Sequence, residues 1–236
     1  MKKLRLLLGV CGLVLFAAAG TAAFAAGPDS YTCTGGVIPA GTYKSLKVTG
    51  ECTFAPGTVT VEGNLIVADG AILNDHASSP ATVNIGGNVT VGKGAVLGLG
   101  TYNPFGAHGS TVDGNVNAHE PLTLYLSFMT IHGNLDSHGG GGDPERNFPI
   151  KDITVDGNLT IEGWDGFWLG VIRDTVGGNV TFSKNKGTDP DTNEVVNNDI
   201  AGNLTCMKNE PPAQIGDAEQ PASRVGGKTK GECAGL

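Results

Sequence analysis

Apolar and polar residues alternate along this chain in stretches of three to five residues, and Gly, Asn, Asp and Pro separate the stretches. Val59, Val61, Leu65 and Val67 face one way in such a stretch while Thr60, Glu62 and Ile66 fall between them. Spacing by two is the signature of strands with one buried face. The interruption between strands recurs. Seven copies of a β-branched residue, any residue, Gly, Asn and then Val or Leu run through Val61–Leu65, Ile85–Val89, Val112–Val116, Ile131–Leu135, Val155–Leu159, Val176–Val180 and Ile200–Leu204. Val48–Cys52 reads as a degenerate eighth copy. A repeat of this length cannot bury its own apolar face and stacks on the next, which predicts a solenoid.

Counted from the motif glycine, the residue two before is β-branched in every copy, and the residue two after is apolar in every copy. The residue four after is mostly apolar, running from Phe54 and Val67 to Phe182 and Cys206. These columns predict extended strands around a common interior. The Gly-Asn step reads as a corner, with Gly free to take a positive φ. Asn64, Asn88, Asn115, Asn134, Asn158, Asn179 and Asn203 are expected to form a hydrogen-bonded ladder along the axis. Successive motif glycines lie 13, 24, 27, 19, 24, 21 and 24 residues apart, and the first value suggests an earliest coil of different build. The fold class expected is all-β, a right-handed parallel β-helix (β-solenoid) of about seven coils, forming a rod on the order of 30–35 Å long at ~4.8 Å per coil.

The N-terminus changes the compartment. Lys2, Lys3 and Arg5 precede an apolar run from Leu6 to Ala18, and Ala23-Phe24-Ala25 follows as a cleavage site. This is the pattern of a secretory signal peptide over residues 1–25, with 26–236 as a single β-solenoid domain. Cys11 lies inside the apolar run behind Val10, so it is read as part of the removed segment rather than a lipidation site. No second apolar span follows, which predicts no integral membrane segment after cleavage. The formal charge is −8, and cleavage removes three basic residues. So acidic a chain is not expected to bind nucleic acid, which needs clustered Lys and Arg.

Cys33, Cys52, Cys206 and Cys233 remain after cleavage, an even count that fits disulfides in an oxidising compartment. Three pairings are open. Cys33–Cys52 and Cys206–Cys233 are expected, because the terminal coils of a solenoid have a face without a neighbour and fray unless capped. A Cys₄ metal site is the alternative, but no Cys-x-x-Cys pair exists.

The stretches Val59–Leu65 and Val176–Phe182 resemble a group of secreted bacterial β-solenoid repeat proteins, over roughly Cys33 to Cys233. More distantly the chain is similar to the right-handed β-helix of polysaccharide lyases and hydrolases, and to polymer-forming bactofilins. The resemblance implies the fold and no activity. The chain carries no lyase motif, and its signal peptide separates it from the cytoplasmic bactofilins.

Candidate chemistry lies where the middle coils depart from the repeat. Three after the glycine most coils carry Thr, but Asn117 and Asp136 interrupt the column; five after it stand His119, His138 and Glu162. By parity these point outward on one strip. Asp136 and Glu162, about 8 Å apart diagonally, would suit an inverting glycosidase. His119, His138 and a carboxylate would suit a transition metal. A freely varying polar face accounts for the strip equally. Residues 138–149, with Gly139–Gly142, read as a flexible loop beside the strip. Trp164 and Trp168 are the ligand-stacking candidates, with wall packing as the alternative. Asp189, Asp191 and Asn193 have the opening spacing of a calcium loop but lack its central Gly and closing Glu, so no metal and no cofactor is expected. No nucleophile elbow, phosphate loop or His-Glu-x-x-His motif appears. The expected function is that of a secreted extracellular or cell-envelope structural or interaction protein without catalysis. The alternative is a carbohydrate-binding or polysaccharide-cleaving protein, and the expected partner is a cell-surface polysaccharide or protein.

Overall fold

Three short strands make each turn, as in Leu46–Val48, Glu51–Phe54 and Gly57–Val61, and the next turn begins at Leu65–Val67. The computed structural model describes residues 29–74, 81–100, 109–216 and 220–236. The signal peptide read at residues 1–25, with Cys11, lies outside the described residues. Successive turns stack through parallel pairing into three sheets of ten, nine and nine strands. The chain is therefore an all-β solenoid of about seven regular turns with further rungs at its ends. No helix among the described residues is long and apolar enough to cross a membrane.

The alternation read from the sequence is the burial pattern. Val61, Ile85, Val112, Ile131, Val155, Val176 and Ile200 close the third-sheet strands, and Leu65, Val89, Val116, Leu135, Leu159, Val180 and Leu204 open the first-sheet strands; all are buried. Together with Phe54, Phe148, Trp164 and Phe182 they form one continuous core. Among the described residues every strand inside the stack has both edges paired, which leaves open edges at the two ends.

The Asn ladder is present, in a side-chain-to-backbone form. Each Asn Oδ1 accepts the backbone N–H of the Asn one turn on, at 2.8 Å from Asn64 to Asn88 and 2.9 Å from Asn179 to Asn203, and the column ends with Lys228 N–H donating to Asn203 Oδ1. The motif glycines do not take the positive φ expected of them. They are glycines because the rungs approach closely. A Cβ on Gly114 would stand 2.5 Å from Asn88 Oδ1 and 2.7 Å from the Gly87 carbonyl oxygen. The degenerate eighth copy is out of phase. Gly50 lies between a first-sheet and a second-sheet strand, a different corner. The equivalent N-terminal corner is Lys44-Ser45, before Leu46, so the 13-residue spacing reflects this change of corner rather than an earliest coil of different build.

Positive φ is used at the other two corners. Glu120, Lys184 and Lys208 directly follow first-sheet strands at φ 48–60°, with Gly139 and Gly163 in the same place at 70° and 76°. Phe128, Asp152, Arg173 and Asn197 directly follow second-sheet strands at 49–61°. The left-handed residue turns the chain sharply, and the residue after it points into the core.

Both expected disulfides are formed. Cys33–Cys52 spans 19 residues and Cys206–Cys233 spans 27, one at each end of the stack. In the loop-entropy picture each stabilises the fold by about 3–4 kcal/mol.

Candidate functional site

The outer face of the first sheet carries the strip read from the sequence, and it is in register. Asn117 pairs with Asp136 and His119 with His138; one turn on, Asp136 pairs with Thr160 and His138 with Glu162. Glu162 is not a free acid. Its Oε1 accepts from Lys184 Nζ at 2.6 Å, and His138 Nδ1 lies 3.6 Å from its Oε2. The Lys184 hydrogen bond holds the Glu162 carboxyl below its ordinary range, against a smaller opposing effect of burial. Asp136 faces Thr160 on the neighbouring rung rather than Glu162. Among the described residues no group of three or more His, Cys, Asp or Glu is arranged to hold a metal ion, so the strip does not assemble the His-His-carboxylate set.

Residues 138–149 are not a loop beside this strip. Gly141–Lys151 is an eleven-residue strand of the second sheet, paired with Asp165–Ile172 through two register shifts. The shifts absorb the extra length that reads as an insertion in sequence.

The two tryptophans part company. Trp164, a stacking candidate with wall packing as the alternative, is 0 % exposed: its indole N–H donates to the Leu122 carbonyl oxygen at 3.1 Å and its ring meets Phe148 edge-on at 5.4 Å. It is a core residue, because it follows the left-handed Gly163 and is turned inward. Trp168 lies on the outer face of the second sheet. One part of its ring rests over Gly170, where a Cβ would collide with it, and Lys151 Nζ sits 4.4 Å from its ring centroid. Its indole N–H donates to Glu194 Oε1 at 3.0 Å. Burial lowers the Lys151 pKa, with the nearby Glu194 acting the other way. Phe167 beside it is 38 % exposed.

These residues line a concavity of about 450 Å³ together with Tyr125, Ser127, Asn147, Asp152 and Asp189. Ser127 is 3 % exposed and its hydroxyl has no hydrogen-bond partner. Sequence reading singled out Trp168 as a stacking candidate and Asp189 only as part of an acidic loop, and did not single out Tyr125, Ser127, Asn147, Lys151 or Asp152. The second sheet has no motif to anchor its register, so nothing in the sequence aligned Tyr125 and Ser127 with Asn147 and Trp168.

The acidic loop is knit to itself. Asp191 N–H donates to Asp189 Oδ1 at 2.9 Å, and Thr192 N–H to the Asp189 carbonyl oxygen at 3.3 Å. Asn193, at φ 60°, is buried and donates from Nδ2 to the Pro211 carbonyl oxygen at 2.7 Å. Asp189 and Asn193 thus have different surroundings, one on the concavity and one in the core.

Comparison of the chain with family models, with curated proteins and with solved structures gives no match. The fold and the side chains above are the ground for a functional reading.

Proposed function

We propose that this is an exported, non-catalytic structural or interaction protein of the extracellular space or cell envelope, built like the secreted bacterial repeat proteins its motif resembles. The observation that carries the reading is the state of the strip: its best acid, Glu162, is committed to Lys184 and His138, and Asp136 stands across from Thr160. A general acid needs a carboxyl whose pKa is raised toward working pH, and the Glu162 carboxyl moves the other way. The two disulfides support an oxidising setting. The staples and continuous parallel sheets favour a rigid rod that presents side chains at fixed spacing.

The test is expression of the full chain in a bacterial host, followed by fractionation, N-terminal sequencing and incubation with polysaccharides. The expected product begins at residue 26, carries both disulfides and releases no new sugar ends. Retention in the cytoplasm with free thiols, or sugar-end release abolished by Glu162→Gln, overturns the reading.

A further inference from the structure

The concavity at Trp168 is one of three that run together on the outer face of the second sheet. The first is lined by Val37, Glu51 and Asn74; the next shares Glu51 and Asn74 and continues through Val96, Leu122, Tyr125 and Arg146; the third shares Tyr125 and ends at Phe167 and Trp168. They cover seven successive strands of one sheet, from Gly36–Ile38 to Asp165–Ile172. At ~4.8 Å per rung this is a track roughly 29 Å long. A track of that length fits a linear polymer better than a compact metabolite.

The lining narrows the chemistry. Phe167 is the exposed aromatic side chain of the lining, and the half-buried Tyr125 offers a second ring further along the track. Apolar ring faces with hydrogen-bonding groups between them suit a partner that is apolar on its faces and hydroxylated on its edges. The buried, unpartnered Ser127 hydroxyl is an unmet donor and acceptor on the cavity wall, and the exposed Asn147 amide is at its rim. Charge disfavours a polyanion: in the third concavity Asp189 stands against Lys151 and Asp152 is paired with Arg173, in the second Glu51 stands against Arg146, Glu51 also lines the first, and the chain carries −8. A peptide adding itself as a strand is excluded along this face, because both edges of its inner strands are already paired.

We propose that the outer face of the second sheet is a binding groove for a neutral linear oligosaccharide, with Phe167 and Tyr125 as ring platforms and Ser127, Asn147 and Lys151 as hydroxyl partners. Trp168 is the wall that positions Lys151 rather than a platform, since the Lys151 ammonium covers one face and Gly170 lies beneath the ring. The proposal rests on the reading of the chain as an interaction protein and names the surface it uses.

The experiment is calorimetric titration of the disulfide-intact mature chain with the hexaoses of cellulose, xylan, mannan, laminarin and chitin, and with the matching disaccharides. Saturable binding of one hexaose is expected, at least tenfold tighter than its disaccharide. Phe167→Ala should weaken it roughly tenfold, the scale of one aromatic hot spot, and Asn147→Ala should weaken it less. Both residues are exposed, so the variants should melt like the parent. Ile66→Ala, on the outer face of the first sheet, should bind like the parent. Failure of all five hexaoses to bind, or binding indifferent to Phe167→Ala and Asn147→Ala, overturns the groove and leaves the non-catalytic reading standing. Binding with release of new sugar ends supports the groove and overturns the non-catalytic reading instead.

Discussion

The two halves of the solenoid fill the same corners with opposite chemistry. After the left-handed residue that ends a first-sheet strand, the inward position holds Trp164 in one turn and Asn185, Asn209 and Glu232 in the next three. At the corner between the second and third sheets the inward series is Met129, Ile153, Asp174, Asn198 and Ser223. The first column is apolar on the N-terminal side and polar on the C-terminal side; the second is so too except at Ser110, which holds the place of Met129 one turn earlier and accepts the Val83 N–H at 3.0 Å. The polar members ladder from turn to turn: Trp164 N–H donates to Asn185 Oδ1, Asn185 N–H to Asn209 Oδ1 and Asn209 N–H to Glu232 Oε1, at 3.0–3.1 Å. At the other corner Ile153 N–H donates to Asp174 Oδ1, Asp174 N–H to Asn198 Oδ1 and Asn198 N–H to Ser223 Oγ, at 2.9–3.1 Å. Packing alone lets one rung slide on the next, whereas a buried side chain bonded to the next rung fixes its register. The C-terminal turns carry two such buried columns beside the exposed Asn ladder that runs through both halves, and should open last.

The largest test of that contrast is at the staples. Removing the C-terminal bridge with Cys206→Ala and Cys233→Ala is expected to cost about 3–4 kcal/mol from loop entropy, with a further loss where Glu232, the neighbour of Cys233, drops out of its column. Cys33→Ala with Cys52→Ala is expected to cost about 3 kcal/mol and nothing more. Urea unfolding of the two double variants checks this. An N-terminal loss equal to or above the C-terminal one would remove the case for unequal halves.

Next in size is the buried amide itself. Asn185 Oδ1 accepts from Trp164 N–H, and its Nδ2 donates to the Ile161 carbonyl oxygen at 3.2 Å. Asn185→Ala strands both backbone groups in the core, which should cost about 2–3 kcal/mol. Asn134→Ala breaks a rung of the outer ladder, where the Asn158 N–H it abandons can turn to water, and should cost about 1 kcal/mol or less. Hydrogen exchange should show the difference locally: Asn185→Ala should bring the protection of the C-terminal turns down to that of the N-terminal ones. Equal losses for the two variants would mean that burial of the inner column adds nothing.

The outer ladder was legible because one residue type is kept at one offset through seven turns, so its period survives turns of unequal length. The inner columns keep no single residue type along their length, so no period marks them in the sequence. A faint signal was there: Asn185 and Asn209 each stand six residues after a ladder asparagine, and Asp174 and Asn198 each stand five before one. The strip of Asn117, His119, Asp136, His138 and Glu162 was legible for the same reason as the ladder, being tied to the motif by parity. The groove was not. Second-sheet strands run from two residues at Lys186–Gly187 to eleven at Gly141–Lys151, and a bulge such as the one between Asp143 and Asn147 erases parity. Trp164 shows the same limit, since the left-handed Gly163 turns it inward where simple alternation offered even choice.

The smallest expected effect separates the two acids of the inner columns by sign. Burial raises the Glu232 pKa, but hydrogen bonds from Ala213 and Asn209 outweigh it, and the carboxyl ends below its ordinary range. Its contribution is therefore present above the unfolded value, near 4.3, and is lost as pH falls through the folded one. Asp174 goes the other way. Burial drives its pKa well up; the Ile153 hydrogen bond and Arg173 oppose that, Asp152 adds to it, and Oδ2 has no partner. The folded chain holds this proton more tightly than the unfolded one, so stability from Asp174 is full below about 3.9 and falls as pH rises toward the folded pKa. The rung above shows the remedy, since Asn198 Nδ2 donates to the Val171 carbonyl oxygen at 2.9 Å and Ile150 holds the register place of Val171 one turn earlier. Asp174→Asn supplies that donor toward the Ile150 carbonyl and removes the buried charge. The expected result is a gain of about 0.5–1 kcal/mol at pH 8, the usual scale of a compatible stabilising substitution, shrinking toward zero at pH 3. Melting curves across that range check it. A loss at pH 8 would show that the Asp174 carboxylate is satisfied in place, and that the inner column tolerates charge as readily as amide.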